Sequence, residues 1–182
     1  CLGQCTALTM IGFKANRIAD VPGAALPPLL RWLILTDNCI DTLPSELGER
    51  AHLQKLMLAG NRLQSLPSSL SNCHRLELLR IAANQLTELP HWLLTLPSLT
   101  WLAYAGNPLE TEADAAALEA TPQIDWSALR LEQQLGEGAS GVISRATWQR
   151  ADGAVTPVAV KLYKGEMTSD GSPLHEMNAC IT

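Results

Sequence analysis

Over the first 109 residues the apolar positions recur in one block: apolar, two free positions, apolar, one free, apolar, two free, asparagine. The copies read LTMIGFKAN, LRWLILTDN, LQKLMLAGN, LELLRIAAN and LTWLAYAGN, and end on Asn16, Asn38, Asn61, Asn84 and Asn107. Their spacings are 22, 23, 23 and 23 residues. Within each block the alternation has period two, which sends the leucines to one face of a short strand. Stacking the copies then predicts a parallel sheet with those leucines inside. The asparagine amide both donates and accepts, so it can satisfy turn backbone groups in neighbouring coils. An LPxxL segment follows three of the blocks, at Leu43 to Leu47, Leu66 to Leu70 and Leu89 to Leu93. Proline has no N–H for a ladder, so these segments belong on the convex, non-strand side.

This pattern resembles the leucine-rich repeat, whose period lies in the range of 20–29 residues. The resemblance covers residues 1–109 and implies an α/β solenoid with its parallel strands on the concave face. Leu2-Gly3 precedes Leu8 by the interval at which Leu47-Gly48 precedes Leu53. The chain, opening on Cys1, is therefore expected to start inside a repeat, with further repeats upstream. Three columns are expected to face outward from the strands. They are Met10, Trp32, Lys55, Leu78, Trp101; then Gly12, Ile34, Met57, Arg80, Ala103; then Lys14, Thr36, Ala59, Ala82, Ala105. Such an apolar outward surface marks an interaction site. Trp32, Ile34, Met57, Arg80 and Trp101 are the candidate contacts to a protein partner or substrate. The alternative is a surface covered by another part of the same polypeptide.

After Leu109 the repeat stops. Residues 110–123 (ETEADAAALEATPQ) are acidic and alanine-rich and suit a cap or short helix with a linker. The pattern then turns to strands at 128–135, 142–149 and 157–163, with a turn at Ala151-Asp152-Gly153. Between the first two strands lies LGEGASGVI. A dinucleotide-binding loop needs a helix opening at its third glycine, and a P-loop needs GKS or GKT. Here the third glycine opens a strand.

A glycine-rich hairpin followed by Val158-Ala159-Val160-Lys161 resembles the start of a protein kinase. Gly136, Gly138 and Gly141 match the family's GxGxxG, and Ile143 stands at its following valine position. Ser172-Pro173 can start a helix, and Glu176 lies where the helix-C glutamate is expected; Glu166 is the competing candidate. Ile124-Asp125-Trp126 resembles the tyrosine-kinase-like branch, and the combination resembles cytosolic bacterial leucine-rich-repeat protein kinases. Residues 124–182 would then be an incomplete kinase N-lobe, antiparallel strands plus the start of helix C. The resemblance implies ATP as ligand. Leu135, Gly136, Gly138, Ser140 and Gly141 would lie over the nucleotide, Ile143 and Ala159 would sandwich the adenine, and Lys161 would pair with phosphate oxygens, held by Glu176. The loop tip, Ala139-Ser140, departs from the family, which often places an aromatic there. The family's catalytic-loop Asp and Asn and its DFG Asp lie beyond residue 182. The Mg2+ ligands would lie with them, no metal ligands are expected in this stretch, and the chain alone is expected to be inactive. A scaffold whose kinase-like part is a pseudokinase is the alternative.

Composition adds three constraints. The 182 residues carry 13 Lys/Arg and 18 Asp/Glu, net −5. Residues 1–109 are near neutral, net +1, and residues 110–182 are acidic, net −6, so neither part has a basic footprint for nucleic acid. No apolar run approaches the roughly 18 residues of a membrane span. The five cysteines are odd in number and lack CxxC, which favours reduced thiols and a cytoplasmic location.

Overall fold

The computed structural model describes residues 2–109, 123–138, 141–165, 168 and 173. The first body is a solenoid of five coils. Its strands are β1 (Met10–Gly12), β2 (Trp32–Ile34), β3 (Lys55–Met57), β4 (Leu78–Arg80) and β5 (Trp101–Ala103). They pair in parallel in chain order, so each coil lies beside its sequence neighbours. The register aligns Met10, Trp32, Lys55, Leu78 and Trp101 in one row and Gly12, Ile34, Met57, Arg80 and Ala103 in another. The two rows are those the sequence predicts.

Between these rows Leu33, Leu56 and Leu79 point inward and are fully buried, as are Leu53, Leu58, Leu76 and Ile81. The LP segments fold differently from an α/β solenoid: their convex elements are 3-10 helices, at Ser45–Glu49, Ser68–Asn72 and His91–Thr95. Each follows a proline with extended backbone and drops one leucine (Leu47, Leu70, Leu93) into the core. Close stacking on this side is set by glycine. A Cβ at Gly48 would fall on the Ser69 backbone, and one at Gly3 on the Ala24 carbonyl, so both coils pack in the same phase.

The asparagines form a ladder. Asn61 Nδ2 donates to Leu35 O (3.0 Å) and Leu58 O (2.9 Å), while its Oδ1 accepts from Ile40 N (3.0 Å). Asn84 repeats this with Leu58 O, Ile81 O and Leu63 N, each at 3.0 Å. Asn38 and Asn107 do the same in their coils. Buried backbone groups need such partners where chain direction forbids a regular ladder.

The residue before each asparagine is left-handed: Ala15 (φ 56°), Asp37 (61°), Gly60 (71°), Ala83 (50°) and Gly106 (74°). This turn corrects the third outward column at Thr36, Ala59 and Ala82, whereas Lys14 is exposed and Ala105 half-buried. Thr36, Ala59 and Ala82 are buried at 2%, 0% and 0% exposure. The strand has ended by then, and the backbone turns in while its bonds continue, Asp37 N to Ala59 O and Gly60 N to Ala82 O. Small side chains are what fit between coils there. A left-handed residue with a Cβ is disfavoured by ~1 kcal/mol, so Ala83→Gly is expected to stabilise the solenoid by about that amount. A thermal melt checks this; an unchanged or lower midpoint would contradict it.

The second body is a three-stranded antiparallel sheet. Its strands are β6 (Leu129–Glu137), β7 (Gly141–Gln149) and β8 (Val155–Tyr163), in that spatial order. β6 runs two residues further into the glycine motif than the sequence predicts, and two register irregularities fall between Leu131 and Gly136. Before β6, Asp125 caps a 3-10 turn at Trp126–Ala128, accepting from Ser127 N (2.8 Å) and Ser127 Oγ (2.6 Å). These bonds hold the Asp125 carboxyl below the usual carboxylate range. Glu176, Glu166, Ser140, Ser172 and the segment 110–122 lie outside the described residues. Among the described residues, no helix is long and apolar enough to cross a membrane.

Candidate functional site

On the solenoid, the open surface is the pair of strand rows. Period-two alternation sends their side chains away from the core, so Trp32, Ile34, Met57, Arg80 and Trp101 share one face. Trp101 is 52% exposed and Met10 51%, large values for apolar side chains. Cations lie against both tryptophans. Lys55 Nζ is 4.2 Å from the Trp32 ring centroid, and the Arg80 guanidinium carbon is 5.8 Å from that of Trp101. The aromatic face carries the negative side of its quadrupole, which attracts them. Lys55 is absent from the candidates read from sequence, although its place in the Trp32 row was the available signal. Beside this row a polar chain runs along the strand entries. Arg31 donates twice to Gln54 Oε1 (3.1 and 2.8 Å), and Gln54 donates to Glu77 (3.3 Å).

Among the described residues, no cysteine stands in the two open rows. Cys5, Cys39 and Cys73 are free thiols, and burial pushes the Cys73 thiol up to about 11. Its Sγ donates to Leu47 O at 3.6 Å, so it fills a core position between coils.

In the second body, β7 pairs Ile143 with Lys161 and Arg145 with Ala159 on β8, and Ile143 with Gly136 on β6. Directly opposed residues share a face, so Gly136, Ile143, Ala159 and Lys161 lie on the same side of the sheet. The opposite side holds buried Ser144 and Ala146. Lys161 Nζ sits 4.7 Å from the Tyr163 ring centroid, and Leu135 is 55% exposed.

The three glycines differ in what they do. Gly141 is buried, and a Cβ there would strike the Leu162 carbonyl, so packing alone demands glycine. Gly138 N donates to Gly141 O at 2.9 Å and closes the hairpin. A Cβ at Gly136 or Gly138 would meet nothing within 4 Å, and neither residue is left-handed. Their lack of a side chain leaves free space outside the chain rather than inside it.

An ion pair missed in the sequence ties the hairpin base to β8: Lys164 Nζ bonds Glu137 Oε1, and Gln134 Nε2 donates to Glu137 Oε2 at 3.4 Å. The Lys164 bond first, then its charge, hold the Glu137 carboxyl low. No group of three or more His, Cys, Asp or Glu that could hold a metal ion occurs among the described residues.

These features define a leucine-rich-repeat solenoid joined in sequence to a glycine-hairpin sheet. Residues 51–109 match the leucine rich repeat family. Among solved structures, the chain is similar to a leucine-rich-repeat protein of Leptospira interrogans. The identity is 30%, over 69% of this chain and 33% of that one, with a TM-score of 0.58. It is also similar to the leucine-rich-repeat ectodomain of a receptor kinase from Arabidopsis thaliana. There the identity is 23%, over 58% of this chain and 60% of that one, with a TM-score of 0.51. The chain thus spans about a third of the Leptospira protein it matches. No curated protein matches it.

Proposed function

We propose that this chain belongs to an ATP-dependent protein kinase whose leucine-rich repeats bind a protein partner or substrate on their concave face and bring it to the kinase. The observation that carries the kinase reading is the shared face of Gly136, Ile143, Ala159 and Lys161, together with glycine at 136 and 138, where the fold itself does not require it. The residues present fit a nucleotide. Backbone at Gly136 and Gly138 is open to approach by phosphate oxygens, as a Cβ would not allow. Ile143 and Ala159 offer an apolar pair for a base, with Leu135 exposed at the hairpin, and Lys161 supplies a cation on the same face. Bound ATP would supply the phosphoryl group; Mg2+ would be held by residues outside those described. The repeats raise the local concentration of their target by tethering it.

The test uses the full-length protein with labelled ATP. Lys161→Ala is expected to reduce phosphate transfer by about 100-fold or more, the scale on which a charge clamp at a transferring phosphoryl group acts. Equal transfer by both proteins would remove Lys161 from this role. A parent protein that transfers no phosphate yet still binds its partner through the repeats would instead be a scaffold with a pseudokinase domain.

A further inference from the structure

We propose that the concave face is built for an acidic, extended segment of a partner protein, carrying one or two carboxylates between two apolar side chains. The proposal rests on the reading of that face as the partner site and adds the chemistry of its occupant. Within the two open rows, every charged side chain is a cation: Lys55 and Arg80, on adjacent strands β3 and β4. Trp32 on β2 and Trp101 on β5 stand at the two ends of this stretch. The order across the sheet is therefore aromatic, cation, cation, aromatic. Three strand steps separate the tryptophans, about 14 Å, which an extended chain covers in about four residues.

The cations are also prepared for a carboxylate. Lys55 and Arg80 lie against tryptophan rings, 4.2 and 5.8 Å from the centroids. Ordering a long side chain before contact reduces the entropy lost on binding. Leu78, Ile34 and Met57, half-buried around them, lower the local dielectric and strengthen any ion pair formed there. Glu77, in the neighbouring column, accepts from Gln54.

Other occupants fit less well. Two cations on a body of net charge +1 are too few to follow a nucleic acid backbone. A second copy meeting this face with its own would set Lys55 and Arg80 against like charges. An acidic segment with apolar flanks meets both the rings and the charges.

The experiment selects binders from a random linear 12-residue phage-displayed peptide library on the full chain, then measures the enriched peptide, fluorescein-labelled, by anisotropy. Expected are sequences with apolar residues about four positions apart and Asp or Glu between them. Trp32→Ala and Trp101→Ala should each weaken binding tenfold or more, with thermal melts unchanged because both side chains face outward. Lys55→Glu combined with Arg80→Glu should abolish binding of the acidic peptide and admit its Lys-for-Glu counterpart; Lys55→Gln should give an intermediate loss. Enriched peptides that lack acids but still depend on Trp101 would overturn the proposed chemistry and leave the face as a partner site. Binding unchanged by all of these substitutions would remove the face itself from partner binding. Displacement of the selected peptide by a synthetic peptide of residues 110–122 would make the chain's own acidic segment the occupant, and would overturn the commitment to a separate partner.

Discussion

Asn84→Ala is expected to lower the stability of the solenoid by about 2 kcal/mol, because it strands one buried donor and removes one of the two donors from each of two buried carbonyls. Leu63 N loses its acceptor at 3.0 Å, while Leu58 O and Ile81 O each lose one donor and keep only those of Asn61 and Asn107. None of these groups can turn to water, since Leu58, Leu63 and Ile81 are fully buried. Asn84→Asp would keep the acceptor for Leu63 N but replace a donor by an anion facing two carbonyls, and should be at least as damaging. Asn16→Ala is the control. That side chain is exposed, and its amide donates to Lys14 O within its own turn, so its loss should be within about 0.5 kcal/mol. Denaturant unfolding of the three variants decides the matter. Equal midpoints for Asn84→Ala and Asn16→Ala would show that the ladder is not what closes the coils.

The second large effect is in the apolar stack. Leu56→Ala, in the central strand, should cost about 3–5 kcal/mol, the transfer of the removed atoms plus a cavity walled by neighbouring coils. Leu102→Ala, the equivalent change in β5, should cost less than about 2 kcal/mol, because Leu102 is only half-buried and its site can relax. The difference, not either value alone, tests the architecture. Enclosure in a solenoid comes from the coil on each side, so an inner position is framed twice. Melts showing equal losses would mean that β5 is as enclosed as β3.

The repeat was legible because its physics is local and periodic. One buried leucine row, one asparagine and one proline recur at a fixed spacing, and each does the same thing in every coil. Both open rows could therefore be read position by position, down to which residues become neighbours. The third column was misread for a reason that alternation cannot express. Period two holds only while the strand lasts, and the left-handed residue at Ala15, Asp37, Gly60, Ala83 and Gly106 ends it. Only two of those five are glycine, so composition hid the turn. Convex 3-10 helices were likewise not apparent, since LPxxL fits several turn geometries. In the second body the three strands and the hairpin were legible from alternation and turn residues. The Glu137–Lys164 pair was not, because residues 27 apart meet only once the sheet is formed. Lys55 was passed over because a lysine on a solvent-facing row reads as ordinary until the neighbouring tryptophan is seen beneath it.

The asparagine ladder also has a direction. Asn38, Asn61, Asn84 and Asn107 each reach back to the coil before them, accepting from Ile18, Ile40, Leu63 and Leu86 and donating to Phe13, Leu35, Leu58 and Ile81. A coil is therefore completed by its successor. As the chain leaves the ribosome, N-terminus first, every newly emerged coil brings the clasp that closes the one already formed. Assembly can thus proceed in step with synthesis, with a single unfinished edge that moves along the growing protein.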